Sequence, residues 1–365
     1  MAESRFRQAL GSLTASAPRS EPAGEPVDPI AEEPLAEVSE DPAAEHPMAE
    51  AGPERDPAVG EAEDDGARGD WGFEEGTEIV EGRTVIRSLG GGSRYQVYLV
   101  WDDHLFSLAV AKLVRPDQVE APGVLRELRQ EAEALERLAH PVIVRGFDAV
   151  LEGPRPHLLI EHLEGPTLRR LIRRHGALPL EQLLPLAAHI AAALHYMAAE
   201  EMVHLDVKPD NLVMSVPPRL IDMSIARSFE RAARLRGSIG TDAYMPPEQC
   251  DAAAYRGLVG PPSDVFGLGA TLYHAIAGEV PFPRPRGARD SEDRLERFPQ
   301  LAEEPRPLPD DVPEPLHDLV MRTLAKAPED RPSAADVVLE LEPLVAALPR
   351  KLALARRNSR LRLGG

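Results

Sequence analysis

The chain has 365 residues, a formal charge of -20 and a single cysteine, Cys250; this gives room for one large domain or two ordinary ones and excludes an intramolecular disulfide. The acidity is uneven: residues 1–70 hold 18 acidic and 5 basic side chains, so the remainder is only slightly acidic and argues against a nucleic-acid surface. No apolar run reaches the roughly 18 residues of a membrane-spanning helix and no signal-peptide core opens the chain, so a cytoplasmic protein is expected.

Residues 1–70 are rich in Ala, Pro, Glu and Asp and poor in large apolar side chains. They cannot bury enough surface to offset chain entropy, so a disordered acidic segment is expected. Ordered structure is expected to begin between Trp71 and Thr84. Val85 to Leu89 reads as a strand. Gly90, Gly91 and Gly92 then turn the chain into a second strand through Val97 and Val100. Such a flap brings backbone N–H groups near phosphates, although glycines also serve ordinary hairpins. Leu108 to Val114 is an apolar run around Lys112. A lysine in a buried strand is costly unless paired, the alternative being an edge lysine that reaches water. A helix is expected from about Val124 to Ala139, with Leu125, Leu128, Ala132 and Leu135 on one face. Glu131 points to that face and has Lys112 as its natural cation; otherwise it lies on the stripe's edge in water. His157 to Ile160 reads as a strand. A long helix from about Glu181 to Ala199 follows, with Pro185 near its first turn.

The densest chemistry lies between Val203 and Val213, where Asp206, Lys208 and Asn211 fall within six positions. They converge only if the backbone loops. The carboxylate can then orient a hydroxyl and accept its proton. The ammonium can neutralise a migrating phosphoryl group, and the amide oxygen can take magnesium. Asp222 ends a short apolar strand, a place where Asp also serves as a plain turn residue. Residues 225–243 carry Arg227, Arg231, Arg234 and Arg236 among few large apolar groups, so a mobile segment is expected. A buried helix begins near Ser263, with Leu268, Leu272 and Ile276 as its stripe. Residues 349–365 form a basic tail, read as solvated or touching acidic lipid or the acidic segment.

These motifs, in this order, resemble the protein kinase family. His204-Leu205-Asp206-Val207-Lys208-Pro209-Asp210-Asn211 resembles its catalytic loop, with Leu205 in place of Arg. Leu89, Gly90, Gly92 and Val97 match the glycine-rich loop, with Tyr95 at the third glycine. Asp222-Met223-Ser224 resembles D-F-G. Gly240 to Glu248 and Pro328 to Pro332 resemble the two motifs that join Glu248 to Arg331. The resemblance covers roughly residues 83–345. It implies a two-lobed α+β fold: a small β-rich lobe with one helix over about 83–161, and a larger, mainly helical lobe over about 166–345. The D-x-K-x-x-N pattern is similar to the Ser/Thr branch, which implies ATP, Mg2+ and protein substrates with Ser or Thr.

By the same resemblance Lys112, braced by Glu131, would hold the α- and β-phosphates. Leu89, Gly90, Gly91, Gly92 and Val97 would cover the nucleotide, and the Glu161–Leu163 backbone would meet the adenine edge. Asn211 and Asp222 would hold magnesium. Asp206 would orient the hydroxyl and Lys208 would offset developing charge. Tyr95 and Val110 are expected to crowd the nucleotide. In the family the Arg before the catalytic Asp pairs with a phosphate on the activation segment; Leu205 cannot, so control through that contact is expected to be absent. A pseudokinase is the alternative, favoured by Tyr95, Val110, Met223 and Ser224. A small-molecule kinase of similar fold is opposed by Pro247, Glu248, Asp264 and Arg331, which match a peptide-docking platform. The sequence leaves the oligomeric state open.

Overall fold

The computed structural model describes residues 69–348, apart from 286, 289, 290 and 292. The expected disordered segment and basic tail lie outside the described residues, except for Gly69 and Asp70. Six strands form one antiparallel sheet: β1 (Glu78–Val80), β2 (Arg83–Gly91), β3 (Tyr95–Asp102), β4 (Ser107–Val114), β5 (Gly146–Val150) and β6 (His157–Glu161). Their order is β1-β2-β3-β4-β6-β5. Strand β4 shows how sequence sets its two faces. Ala109, Ala111 and Leu113 alternate onto one side, against Ile79, Tyr98 and Leu159. Val110 and Lys112 fall on the other, and Val110 packs there with Leu89, Val97 and Leu99. A lysine thus hangs from a buried strand, beside an apolar slot.

The chain before β1 belongs to this lobe. Trp71 and Phe73 stack with centroids 5.6 Å apart and pack on the face formed by Ile79 and Tyr98. The Trp71 indole N–H donates to the Val114 carbonyl at 2.9 Å. The single long helix of the lobe, α1 (Pro122–Arg137), buries Val124, Leu128, Glu131 and Leu135. This corrects the expected stripe: Leu125 and Ala132 are only partly buried, and Glu131 sits on the stripe itself. The helix is rotated so that its one buried charge meets Lys112.

The second lobe holds α2 (Leu168–His175), α3 (Leu180–Ala199), and the short strands β7 (Met202–Val203), β8 (Leu212–Val213), β9 (Arg219–Leu220) and β10 (Arg227–Ser228). Then come α4 (Phe229–Ala233), α5 (Pro247–Cys250), α6 (Pro261–Ala277), α7 (Arg294–Arg297), α8 (Glu314–Thr323) and α9 (Ala334–Ala346). Helix α3 is the apolar axis, burying Leu183, Leu186, Ile190, Leu194 and Met197 between α6 and α9. Pro185 falls just past its first turn. The α+β fold read from the sequence is the one observed.

Part of the stretch expected to be mobile carries regular structure, β10 and α4. β10 pairs with β7 through Arg227–Val203 and Ser228–Met202. Ile225, Phe229 and Leu235 pack on a cluster that includes Leu205 and Ala232. The apolar residues are few but spaced so that all three reach one patch.

One ion pair pins the lower lobe. Arg331 meets Glu248 bidentately at 2.6 and 2.9 Å, and neither side chain is exposed. Arg331 also donates to the carbonyls of Ala325, Pro262 and Lys326. Removing one partner strands a buried charge, which costs more than the intact pair contributes. Glu248→Ala is therefore expected to lower stability by about 3–5 kcal/mol in denaturant unfolding, far more than a typical surface change.

Candidate active site

Two charged clusters face each other across the lobes. In the upper one, Lys112 Nζ lies 3.0 and 2.8 Å from the two Glu131 carboxylate oxygens. It also reaches Asp222 Oδ1 at 3.4 Å, linking β4, α1 and the turn after β9. Burial alone would pull the Lys112 ammonium down; Asp222 and Glu131 outweigh it and hold it above the ordinary lysine value. Burial likewise pushes the Asp222 carboxyl up, and Lys112 overrides this to hold it well below the usual range. Asp222 has a left-handed backbone, φ 67, and accepts from the Ser224 N–H at 3.3 Å. Met223 is fully buried in the main core. An unbranched thioether fills that apolar position.

The glycine-rich turn closes this cluster from above. Gly91 has φ +159, and a Cβ there would lie 2.3 Å from the Tyr95 carbonyl, so the hairpin admits no side chain at that point. Gly92 N–H donates to that carbonyl at 3.0 Å, while Arg115 Nε donates to the Gly92 carbonyl at 2.6 Å. Tyr95 reaches the start of α1, where its hydroxyl donates to Val124 O at 3.2 Å. Its ring lies 4.8 Å from Lys112 Nζ. The bulk of Tyr95 therefore falls on the lysine side of the pocket. Leu89, Val97 and Val110 form the apolar slot, with Ile160 packed against it.

At the end of β6, the Glu161 carboxylate turns to Arg219, which donates to it at 2.9 and 3.0 Å. The same Arg219 holds the Ile143 carbonyl at 3.1 Å. Leu163, two residues on, is partly buried against the main core. Nothing in the sequence around Arg219 pointed to this contact.

The lower cluster lies in the loop between β7 and β8. Asp264 on α6 accepts from the His204 N–H at 2.7 Å and the Leu205 N–H at 2.6 Å. Lys208 Nζ donates to Asp206 Oδ2 at 2.7 Å and to Thr241 Oγ1 at 2.8 Å. Thr241 in turn donates to Asp206 Oδ1 at 2.8 Å, which closes a ring of three side chains. Asn211 Nδ2 donates to the Asp206 carbonyl at 2.9 Å and to Oδ2 at 3.2 Å. With Nδ2 fixed there, Oδ1 is the ligand atom Asn211 has left to offer. The Ile221 N–H donates to the Asn211 carbonyl at 2.9 Å, so Asp222 runs alongside. Asp206, Lys208 and Asn211 converge in the lower cluster; Lys112, Glu131 and Asp222 converge in the upper.

A family model for the protein kinase domain matches residues 83–340. The chain belongs to the protein kinase family. The kinase domain is similar to serine/threonine-protein kinase PkaA of Streptomyces coelicolor, 36% identical over 225 residues, covering 60% of this chain and 39% of that protein. It is also similar to serine/threonine-protein kinase PknB of Mycobacterium leprae, 30% identical over 255 residues, covering 67% and 39%. PknB of Mycolicibacterium smegmatis is 29% identical over 291 residues, covering 75% and 45%. The chain thus spans about two-fifths of the length of these curated relatives.

Beside the lower cluster runs a network that the sequence did not reveal, because its members come from four separate segments of the chain. Arg169 Nε donates to Asp210 Oδ2 at 3.1 Å, and its NH2 donates to the Tyr244 hydroxyl at 2.7 Å. The Tyr244 hydroxyl shares a hydrogen bond with His274 Nδ1 at 2.7 Å. Burial, together with the Arg169 charge, pushes the His274 pKa down to about 4. The ring is therefore neutral when folded and protonates more easily when unfolded. Its folded pKa lies below the unfolded one, so its contribution is complete above about pH 6.5. It is lost as pH falls toward the folded value. Unfolding free energy of the parent is expected to drop across that window relative to His274→Gln, in paired denaturant titrations.

Proposed function

We propose that this protein transfers the γ-phosphoryl group of ATP to serine or threonine hydroxyls of protein substrates. The observation that carries this reading is the closed ring of Asp206, Lys208 and Thr241, opposite the Lys112–Glu131–Asp222 triad. Phosphoryl transfer needs positioned groups and compensating charge more than covalent chemistry from the protein. Lys112, held by Glu131, meets the α- and β-phosphates, and Leu89, Gly90, Gly91, Gly92 and Val97 lie over the nucleotide. The adenine edge takes the backbone of Glu161 and Leu163. Asp206 orients the acceptor hydroxyl and takes its proton. Lys208, already beside Asp206, offsets the charge that develops on the transferred group.

Asn211 Oδ1 and the Asp222 carboxylate are hard oxygen donors of the kind magnesium takes alongside phosphates, so the residues present fit that ion. Bound Mg2+ neutralises charge between the phosphates during transfer. Substrates are proteins because the buried Glu248–Arg331 pair supports the segment around Tyr244 and Pro247, a platform for a peptide. The domain is read as residues 83–345, with the acidic segment and the basic tail as appendages. Among the described residues no helix is long and apolar enough to cross a membrane. A protein that consumes ATP works where ATP is abundant, which supports the cytoplasm.

The pseudokinase reading draws support from the Tyr95 ring over Lys112. Such a contact contributes only about 0.5–2 kcal/mol, which phosphate binding at Lys112 can overcome. The intact polar network therefore favours an enzyme.

Two outcomes test this. Asp206→Asn removes the proton acceptor but leaves the triad that meets the nucleotide. It is expected to lower transfer at least about a hundredfold, with ATP still bound in a direct binding measurement. Near-normal transfer would remove Asp206 from its role. The second concerns phosphate. Leu205 is buried against Val203, Ala232, Ala252 and Val259, so apolar packing holds the activation segment where the family's Arg would hold a phosphate. Phosphatase-treated protein and Ser238→Ala are expected to keep most of the parent's rate on a generic protein substrate. Loss of most activity in either would show that a phosphate is needed.

A further inference from the structure

Gln249 is almost fully buried, directly after Glu248 in α5. Its Nε2 donates to two backbone carbonyls at once, Leu205 O at 2.8 Å and Ile239 O at 2.7 Å. A terminal amide has two N–H donors, one for each. The two carbonyls belong to different segments. Leu205 immediately precedes Asp206, and Ile239 lies two residues before Thr241. Leu205 is itself held in the left-handed region, φ 67, a conformation that costs a leucine about 1–2 kcal/mol. Asp264 holds its N–H and Gln249 its carbonyl, so both polar groups of the strained residue are fixed.

The two segments touch at this point. Gly240 has φ +117, and a Cβ placed on it would lie 2.8 Å from Leu205 O and 3.1 Å from Gln249 Nε2. The activation segment therefore passes against the catalytic-loop backbone with no room for a side chain. One residue later Thr241 bonds Asp206 and Lys208.

We propose that Gln249 is a positioning residue for phosphoryl transfer. Its amide ties the Ile239 carbonyl to the Leu205 carbonyl and so sets the spacing of the Thr241–Asp206–Lys208 ring. Gln249 touches neither nucleotide nor acceptor and acts through these two carbonyls. The tie is neutral and needs no phosphate. It rests on the kinase reading above for its effect on rate, but not for its effect on the order of the segment.

The test uses the full chain and two variants. Gln249→Met keeps the volume and the packing but supplies no donor, which takes the donor from the buried Leu205 carbonyl and from the half-buried Ile239 carbonyl. Gln249→Glu keeps the shape and brings an acceptor-only charge near Asp206. Three quantities are measured: kcat on a generic protein substrate, ATP affinity by direct binding, and amide exchange by mass spectrometry. For Gln249→Met, kcat is expected to fall roughly tenfold to a hundredfold, the scale of a small misplacement of reacting groups. ATP affinity should stay within about twofold, because only a group that acts after binding has been disturbed. Exchange should quicken over residues 237–244 and stay unchanged in α3. Gln249→Glu should lose at least as much rate. The proposal is overturned if Gln249→Met keeps kcat within about twofold of the parent, or if ATP affinity falls in step with kcat. It is also overturned if exchange quickens equally through α3, since that marks general loosening. If the parent itself transfers no phosphate, the kinase reading fails, and exchange over 237–244 alone decides the tie: no change there overturns it.

Discussion

The catalytic loop depends on one carboxylate, Asp264. It is buried, and burial pushes its carboxyl up from the ordinary value. Its compensation comes from backbone: two N–H groups, from His204 and Leu205, at 2.7 and 2.6 Å. Its place in the first turn of α6 adds the favourable end of the helix dipole. Because α6 is buried along nearly its whole length, this acceptor is anchored in the core of the lobe. The neighbouring Ser263 donates to Glu248 at 2.8 Å, and Glu248 is locked by Arg331. A continuous polar path thus runs from the far side of the lobe to the peptide preceding Asp206. Each buried charge on it is matched by several donors, which is the condition for such a path to hold rather than weaken the fold.

The upper cluster works on a different principle. Lys112 gathers two carboxylates from separate elements, so one ammonium reports whether α1 and the Asp222 turn are both in place. An ion pair that is 2% exposed on the Glu131 side and 14% on the Lys112 side is screened little by solvent. Asp222 is the more open of the two acids, with its side chain 35% exposed. It is the partner that can be released to a cation without stranding a buried charge. Glu131, enclosed, stays with the lysine. The division of labour between the two acids follows from burial alone.

Much of this was legible in the sequence, and the limits are physical. An apolar run around Lys112 marked it as a lysine in need of a partner, and helical spacing aimed Glu131 inward. Short spacing brought Asp206, Lys208 and Asn211 together because a loop has few ways to fold three polar groups between apolar flanks. The stripe of α1 was read slightly off axis, since Leu125 and Ala132 look as apolar as Val124 and the pattern cannot show that a buried charge outweighs them. The order of residues 225–243 was missed because its few apolar anchors, Ile225, Phe229 and Leu235, and its polar ties all reach partners distant in sequence. Arg219, Arg169 and Gln249 gave no local signal: each acts on a backbone or side chain brought near only by the fold.

Leu205 shows how one substitution redistributes the work of ordering a segment. An arginine there would need an anion to satisfy it, and its hydrogen bonds to that anion would contribute about 1.5–3 kcal/mol each. Burying a leucine contributes about 1.5–3 kcal/mol, a comparable amount. The two solutions differ in what can reverse them. A charge pair disappears when the anion is removed, whereas apolar contact with Ala232 and Val259 persists under any phosphorylation state. The same segment carries Thr241, whose hydroxyl donates to Asp206 Oδ1 at 2.8 Å. In the upper lobe the Tyr95 ring lies over Lys112 and is tethered to α1 through the Val124 carbonyl. Whatever moves α1 therefore also moves the Tyr95 ring beside Lys112.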